Sequence, residues 1–469
     1  MAHKQKNVNK KNRSRSPRSL QTIEPHSAGI DLGSREHWVA GPPLKDGTPN
    51  VERFGTTTPE LLRIADWLEE QGVVTVAMES TGVYWIPLFE ILESRGFRVV
   101  LANARQIRNV PGRKTDMIDC QWIQLLHACG LLRSSFRPSD DICRLRTLIR
   151  ERNMMVDERS DWVRRMQKNL DQMNICVHHA VSDITGVTGI AIIRAIVDGE
   201  RDPHALARLR DPRCQKSEVQ IAEELTGNWR SEHLFNLQQS LRMYDQLCGV
   251  IVDYDAEILA YMAALQSDSH ENKSVPPPAS KNKARSISRR GQEPLRQALF
   301  GLSGCDLTSI DGIGVETASV IVSEMGLDFS MFPDERQFIS YLRLAPNLSI
   351  SAGKKVPAKF KSTTCTRVAQ AFRMAATTLR NTKTALGAYY RRISWRKGAS
   401  VAVFATARKL AQLVYRLVRF GQSYIDIGSQ SYEARYNKNR LKHYIKSLME
   451  MGYDVVDKEA SNKAEMAVS

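Results

Sequence analysis

Long apolar runs are missing from this 469-residue sequence. No stretch approaches the ~18 uninterrupted apolar residues of a membrane span. The start, Met1 to Leu20, is basic and lacks the apolar segment of a secretion signal, so a cytoplasmic chain without a membrane partner is expected. Cysteine is sparse and scattered. The eight residues (120, 129, 143, 176, 214, 248, 305 and 365) include no C-x-x-C, and Cys176 has His178 and His179 close by. That pattern argues against a disulfide framework and against structural zinc. Acidic charge is also short: 51 Asp+Glu face 67 Lys+Arg, a formal net charge of +16. Such an excess suits a polyanion, and nucleic acid is the commonest one. The rest is ordinary for a folded protein, with 42% hydrophobic and 25% charged residues, and the length allows several domains.

Residues 1–20 carry seven Lys and Arg, no acid and almost nothing apolar to bury, which predicts a disordered tail. From Ser27 the texture changes. Ala28–Leu32 and His37–Ala40 read as two strands joined by a tight turn, and Val73–Met78 and Arg98–Ala102 as further buried strands. Thr58–Gln71 and Tyr84–Gly96 between them have helical periodicity, so an α/β domain with a mixed sheet is expected. Ile142–Met173 reads as one long helix with a basic side. A second long helix follows a heptad pattern through Leu234, Leu237, Leu241, Tyr244, Cys248, Ile251, Ile258, Met262 and Leu265, with Asp255 as its polar seam position. An intramolecular hairpin and a coiled-coil dimer both satisfy that pattern. Ser267–Arg290 is rich in Pro, Ser, Lys and Arg and reads as a linker. The expected organisation is a basic tail (1–24), an α/β domain (25–140), a helical connector (141–266), a flexible basic linker (267–295), a mostly helical domain (296–453) and a disordered end (454–469).

Several motifs carry chemistry. Asp31, in Gly29-Ile30-Asp31-Leu32-Gly33, projects a carboxylate from an apolar strand, a cost that a divalent cation would offset. The string suits both nucleases of the RNase H and RuvC type and phosphate-binding ATPases. Glu79 ends the next apolar strand, in Met78-Glu79-Ser80-Thr81-Gly82. Asp116 and Asp119, after the capping residue Thr115, are three apart and share a helix face, where two like charges favour a cation between them. With Asp31 and Glu79 they make a four-acid set suited to two Mg²⁺ ions and phosphoryl transfer; an ATPase needs no such pair. Asp311-Gly312-Ile313-Gly314 between apolar helical runs resembles a helix-hairpin-helix, in which bare N–H groups meet a DNA phosphate. Ser351, followed by Ala352-Gly353-Lys354-Lys355, could attack a phosphodiester with the two lysines stabilising the developing charge. Basic helical sequence from Arg367 to Arg419, including Arg373, Arg408 and Lys409 and interleaved with Tyr389, Tyr390 and Trp395, suits a nucleic-acid backbone. The plain alternatives are a turn-capping Asp31, a solvated acidic helix start at Asp116 and Asp119, and solvated loop and surface charge elsewhere.

In this order, G-I-D-L-G at Asp31, M-E-S-T-G-V-Y-W at Glu79, K-T-D-M-I-D at Asp116 and Asp119, the Gly312–Gly314 hairpin, and L-A-P with S-A-G-K near Ser351 resemble the DEDD transposases of the insertion sequence one-ten family. The resemblance implies a RuvC-like (RNase H-like) N-terminal domain, a coiled-coil connector and a C-terminal transposase domain carrying a nucleophilic serine. It implies Asp31, Glu79, Asp116 and Asp119 as Mg²⁺ ligands and Ser351 as nucleophile. It also implies DNA (element ends and target) and a structured bridge RNA as partners, and a homo-oligomer that combines the acids of one subunit with the serine of another. Ala352-Gly353 stands where the family has Gly-Gly, and Ser349 is a rival serine two residues earlier. Ala407-Arg408-Lys409-Leu410 fits the family's closing helix. The function expected is therefore that of a DNA transposase, with two alternatives: a RuvC-like junction resolvase in which Ser351 is a bystander, and a nucleic-acid binder without catalysis.

Overall fold

A computed structural model describes residues 21–80, 82–103, 107, 116–266, 274–278, 280–345, 348–351, 354–357 and 366–455; for 116–118, 348–351 and 354–357 only the backbone is described. The expected tail at 1–20, the link between Leu344 and Thr366 in part, and the end from 456 onwards lie outside these residues. The chain divides into two compact units at Arg137 and Pro138.

The first unit is built on a five-stranded sheet in the order β3-β2-β1-β4-β5. Its elements are β1 Ser27–Leu32, β2 Glu36–Ala40, β3 Val51–Gly55, α1 Thr58–Glu70, β4 Thr75–Glu79, α2 Trp85–Ser94, β5 Arg98–Ala102 and α3 Asp116–Ala128. β2 runs antiparallel to β1 and β3, whereas β4 is parallel to both β1 and β5. The inner strands are covered on both faces, which is why they read as continuous apolar runs rather than alternating ones. Ala28 and Ile30 of β1 and Val76 and Met78 of β4 turn one way, into a core with Leu61, Ile64 and Leu68 of α1 and Leu88 and Leu92 of α2. Ala77 and Ala102 turn the other way, onto Ile123 of α3. The chain before the sheet is tied down as well: the Ile23 N–H donates to the Ala128 carbonyl, and Glu24 pairs with Arg98 at 2.5 Å. Ile23 and Glu24, counted in the tail expected at 1–24, are thus held to the sheet unit.

The second unit opens with α4, Asp140–Gln172. Next come α5 Val177–Ala180, α6 Val187–Val197, α7 Pro203–Ala207, α8 Glu218–Glu224 and then α9, Ser231–Ala264. α4 and α9 lie against each other in antiparallel fashion: Arg152 meets Asp255 at 2.9 Å, and the Tyr261 hydroxyl reaches the Asp141 carbonyl at 3.3 Å. Of the heptad positions of α9, Leu237, Leu241, Ile251, Ile258 and Met262 are buried. Of the two arrangements open to the pattern, the intramolecular one is found. Asp255 is tolerated in the seam because the Arg152 guanidinium takes it up and also reaches Glu316 at 3.4 Å. The short helices α5–α8 close one end around Ile192, Ile193, Ile196, Leu206, Ile221 and Leu225.

Within the expected flexible linker, residues 281–289 form a helix, α10 Lys281–Arg289. Ser280 caps it by accepting from the Lys283 N–H, Ile287 is buried, and the Lys283 ammonium donates to the carbonyls of Thr308 and Ile310. Composition alone hid these tertiary anchors. Beyond it lie α11 Glu293–Ser303, α12 Val315–Met325, α13 Glu335–Tyr341, a hairpin of β6 Leu348–Ser351 and β7 Lys354–Pro357, α14 Arg367–Thr378, α15 Ala385–Lys397, α16 Ala399–Phe420 and α17 Gly428–Glu450. The architecture is an α/β N-terminal unit followed by a mostly helical unit. No disulfide joins the seven described cysteines, and no described helix is long and apolar enough to cross a membrane.

Candidate active site

The acids of the first unit are positioned by one close approach. A Cβ added to Gly29 would lie 2.2 Å from the Gln124 N and 2.5 Å from the Cys120 carbonyl oxygen, so the α3 backbone rests directly on β1 where β1 has no side chain. The Gln124 amide donates to the Ser27 carbonyl at 3.3 Å, which fixes the direction: going up α3 toward its C-terminus means going back along β1. The N-terminal turns of α3 therefore lie toward the end of β1. Side chains alternate along a strand, so Asp31, two residues from Gly29, is on the face that α3 covers, and Ile30 is on the opposite one.

Glu79 reaches the same corner by the same rule. The pairing of Ile30 with Met78 in parallel register puts Glu79 beside Asp31 at the ends of neighbouring strands. Ala77, two residues back, packs on Ile123 of α3, so Glu79 shares the α3 face. Asp119 lies in the first turns of α3, and its residue is half-buried, as are Asp31 and Glu79. A local probe of this charge is Cys120, whose thiol is pushed up to about 12 by burial and, beyond that, by the carboxylates of Asp31 and Asp119. One sulfur thus senses acids that are far apart in sequence. Asp116 is the first residue of α3; its side chain lies outside the described residues. At the opposite end of β4 and of α3 from this corner, the Thr75 hydroxyl makes a buried contact of 2.9 Å with His127 Nε2, and burial holds the His127 imidazole below its ordinary pKa.

Gly29 was legible as part of the motif but not as the seat of α3. The signal is its spacing, a residue without a side chain two positions before a strand carboxylate.

In the second unit, Ser351 is the last residue of β6 and pairs with Lys354, the first of β7; Ile350 pairs with Lys355 and Ser349 with Val356. Their side chains lie outside the described residues. The turn at Gly312–Gly314 is described in full. Gly312 has φ +84°, and a Cβ there would meet the Ala375 carbonyl oxygen at 3.1 Å, so both conformation and space require glycine. Gly314 precedes α12 without any side-chain cap, and a Cβ there would meet nothing within 4 Å. The turn is held from beneath. Arg296, almost wholly buried, pairs with Asp306 at 2.7 Å and donates to the Thr308 hydroxyl at 3.1 Å, while Asp311 accepts from the Tyr424 hydroxyl at 3.2 Å. Burial, together with the nearby Asp426, raises the Asp311 carboxyl above its usual range. Among the basic candidates, Arg408 is exposed on α16, Arg373 lies over the Phe404 ring at 5.3 Å, and Lys409 donates to Gln412 at 3.0 Å, lowered by burial and by Arg416.

Residues 28–175 match the family model of DEDD transposases of the IS110 type, described as a transposase. Residues 306–391 match the model described as transposase IS116/IS110/IS902 family. No curated protein matches the chain. A sheet that presents acids at its strand ends, joined in one chain to a helical unit with its own transposase match, defines a DNA transposase. The chain belongs to the IS110 family.

Proposed function

We propose that this transposase cuts and rejoins DNA to move an insertion sequence, with Asp31, Glu79, Asp116 and Asp119 as ligands of Mg²⁺ and Ser351 as nucleophile. The observation that carries the reading is the seating of α3 on Gly29, which brings Asp31, Glu79 and the start of α3 to one corner of the sheet. A set of hard oxygen donors fits Mg²⁺. The sheet order, with three antiparallel strands followed by two parallel ones, supports a RuvC-like (RNase H-like) domain. Bound there, Mg²⁺ would offset phosphate charge and favour the departing oxygen. The protein's own groups do the rest. Ser351 Oγ attacks phosphorus, forming a serine–phosphate ester as a DNA hydroxyl leaves. Attack by the hydroxyl of the new strand then restores the serine, so one ester bond is exchanged for another.

Lys354 and Lys355 would steady the charge at that phosphate, and the uncapped N–H groups after Gly314 would grip a backbone phosphate as a helix-hairpin-helix does. Arg373, Arg408 and Lys409 extend the phosphate-binding surface. A bridge RNA as guide, and a homo-oligomer that pairs the acids of one copy with the serine of another, complete the reading.

The test is strand transfer with DNA from the borders of the gene, Mg²⁺ and the RNA that co-purifies. Asp31→Asn is expected to abolish transfer while retaining DNA binding. Ser351→Ala is expected to remove both transfer and the covalent protein–DNA adduct. Should Ser351→Ala still cleave, the chemistry is that of a junction resolvase; should Asp31→Asn act like wild type, the acids are structural.

A further inference from the structure

The described cavities, charge clusters and exposed faces outside the acidic corner include one group that combines sulfur, nitrogen and oxygen donors. We propose that Cys176, His179 and Glu224 form a second, independent metal site that takes a borderline-soft transition ion, Zn²⁺ being the fitting one. The inference does not depend on the assignment of the acidic site or of Ser351.

The site arises where the chain leaves α4. Asn174 turns in the left-handed region, φ +54°, and sends the chain back across the end of α8. There two segments distant in sequence are laced together through their backbones. The Cys176 N–H donates to the Glu224 carbonyl at 2.8 Å, and the Asn228 N–H donates to the Met173 carbonyl at 2.8 Å. Gly227 is needed for this approach, since a Cβ there would lie 2.3 Å from the Met173 carbonyl oxygen. α5 then starts at once, with the His179 N–H on the Cys176 carbonyl at 2.9 Å, which folds the imidazole back over the thiol. On the other side, Ser217 and Gln220 cap α8 reciprocally and fix the helix that ends on Glu224. Beneath lie Ile175, Val177, Ile221 and Leu225, all buried.

The consequence is that the thiol, an imidazole nitrogen and a carboxylate oxygen all lie within 4.8 Å of one another, with His179 Nδ1 3.4 Å from Glu224 Oε2. Donors around a tetrahedral zinc at its usual bond lengths stand about 3.3–3.8 Å apart, so side-chain adjustment alone closes the set. Three protein ligands leave the fourth position to solvent. A thiolate rejects Mg²⁺ and Ca²⁺ and selects a softer ion, which separates this site chemically from an all-carboxylate one. Lys216 Nζ sits 3.2 Å from the other Glu224 oxygen, and the His178 ring packs on His179 at 4.2 Å with its Nδ1 3.2 Å from Asp171. An ion would displace the Lys216 contact, whose partners are both partly exposed, and would keep the His178–Asp171 pair as a brace.

The experiment uses the untagged full chain stripped with chelator, titrated with Zn²⁺ and with Co²⁺. Wild type is expected to take up one Zn²⁺ at this site in the presence of excess Mg²⁺, to show a rise in melting temperature that grows with the logarithm of free Zn²⁺, and to give a thiolate-to-cobalt charge-transfer band. Cys176→Ser should lose that band. His179→Ala, at an exposed position that the fold does not need, should lose roughly ten- to a hundredfold in affinity, the range that even outer contacts to a ligand command. Absence of a charge-transfer band in wild type, or Zn²⁺ affinity unchanged in His179→Ala, would overturn the site and leave Lys216 and Glu224 as an ordinary ion pair.

Discussion

Gly29 shows how one missing side chain sets a site. Replacing it with alanine puts a methyl group against the α3 backbone at 2.2 Å, with no flexible neighbour to give way. Overpacking of this kind costs about 1–3 kcal/mol, so Gly29→Ala should lower the urea midpoint of the first unit and also lose strand cleavage, because Asp119 moves with α3. Gly249 in the middle of α9 is the opposite case: a Cβ there meets nothing within 4 Å, and Gly249→Ala should stabilise by ~0.5–1 kcal/mol in the same assay. His127 supplies a pH prediction. Burial depresses its pKa in the folded state, so as pH falls below the ordinary imidazole value of ~6.5 the unfolded chain takes the proton first. Its contribution to stability is therefore complete above that pH and is lost on acidification through the folded value. His127→Gln should flatten the dependence of unfolding free energy on pH across that window.

Among the elements, the α4–α9 hairpin depends on an ion cluster in its seam. Arg152 is mostly covered and is shared by Asp255 and Glu316, which ties α12 to the hairpin as well. Asp255→Ala leaves that guanidinium with one carboxylate, a loss of about 1–3 kcal/mol by thermal or urea unfolding. Replacing Arg152 and Asp255 together by leucine should recover most of it, since an apolar pair completes the heptad without a charge to desolvate. Both long helices were legible in the sequence because their burial repeats every three or four residues. The partner of α9 was not, since a heptad face specifies an apolar neighbour and not whether that neighbour is in the same chain. The helix at Lys281–Arg289 escaped for a related reason: its support comes from carbonyls at Thr308 and Ile310, and a basic, Ser-rich string looks the same with or without them.

At the scale of the whole molecule, charge governs the encounter with DNA. An excess of +16 makes binding to nonspecific duplex steeply dependent on salt through counterion release. If Arg408 meets a phosphate, Arg408→Gln should weaken binding to all sequences alike and reduce the slope of log affinity against log salt by about one. An unchanged slope would remove Arg408 from the surface. No such uniform effect is expected of Gly29→Ala, which acts on cleavage, so the two variants separate binding from chemistry.

By itself the sequence determined the strands that carry Asp31 and Glu79, the two long helices and the basic character, because alternation, heptads and net charge are local or additive properties. Only the tertiary structure decided that α3 lies on Gly29, that α9 closes on α4, and that Glu224 meets Cys176 and His179. Those depend on which distant segments close on one another, and that is set by backbone approach and shared burial that no local pattern records.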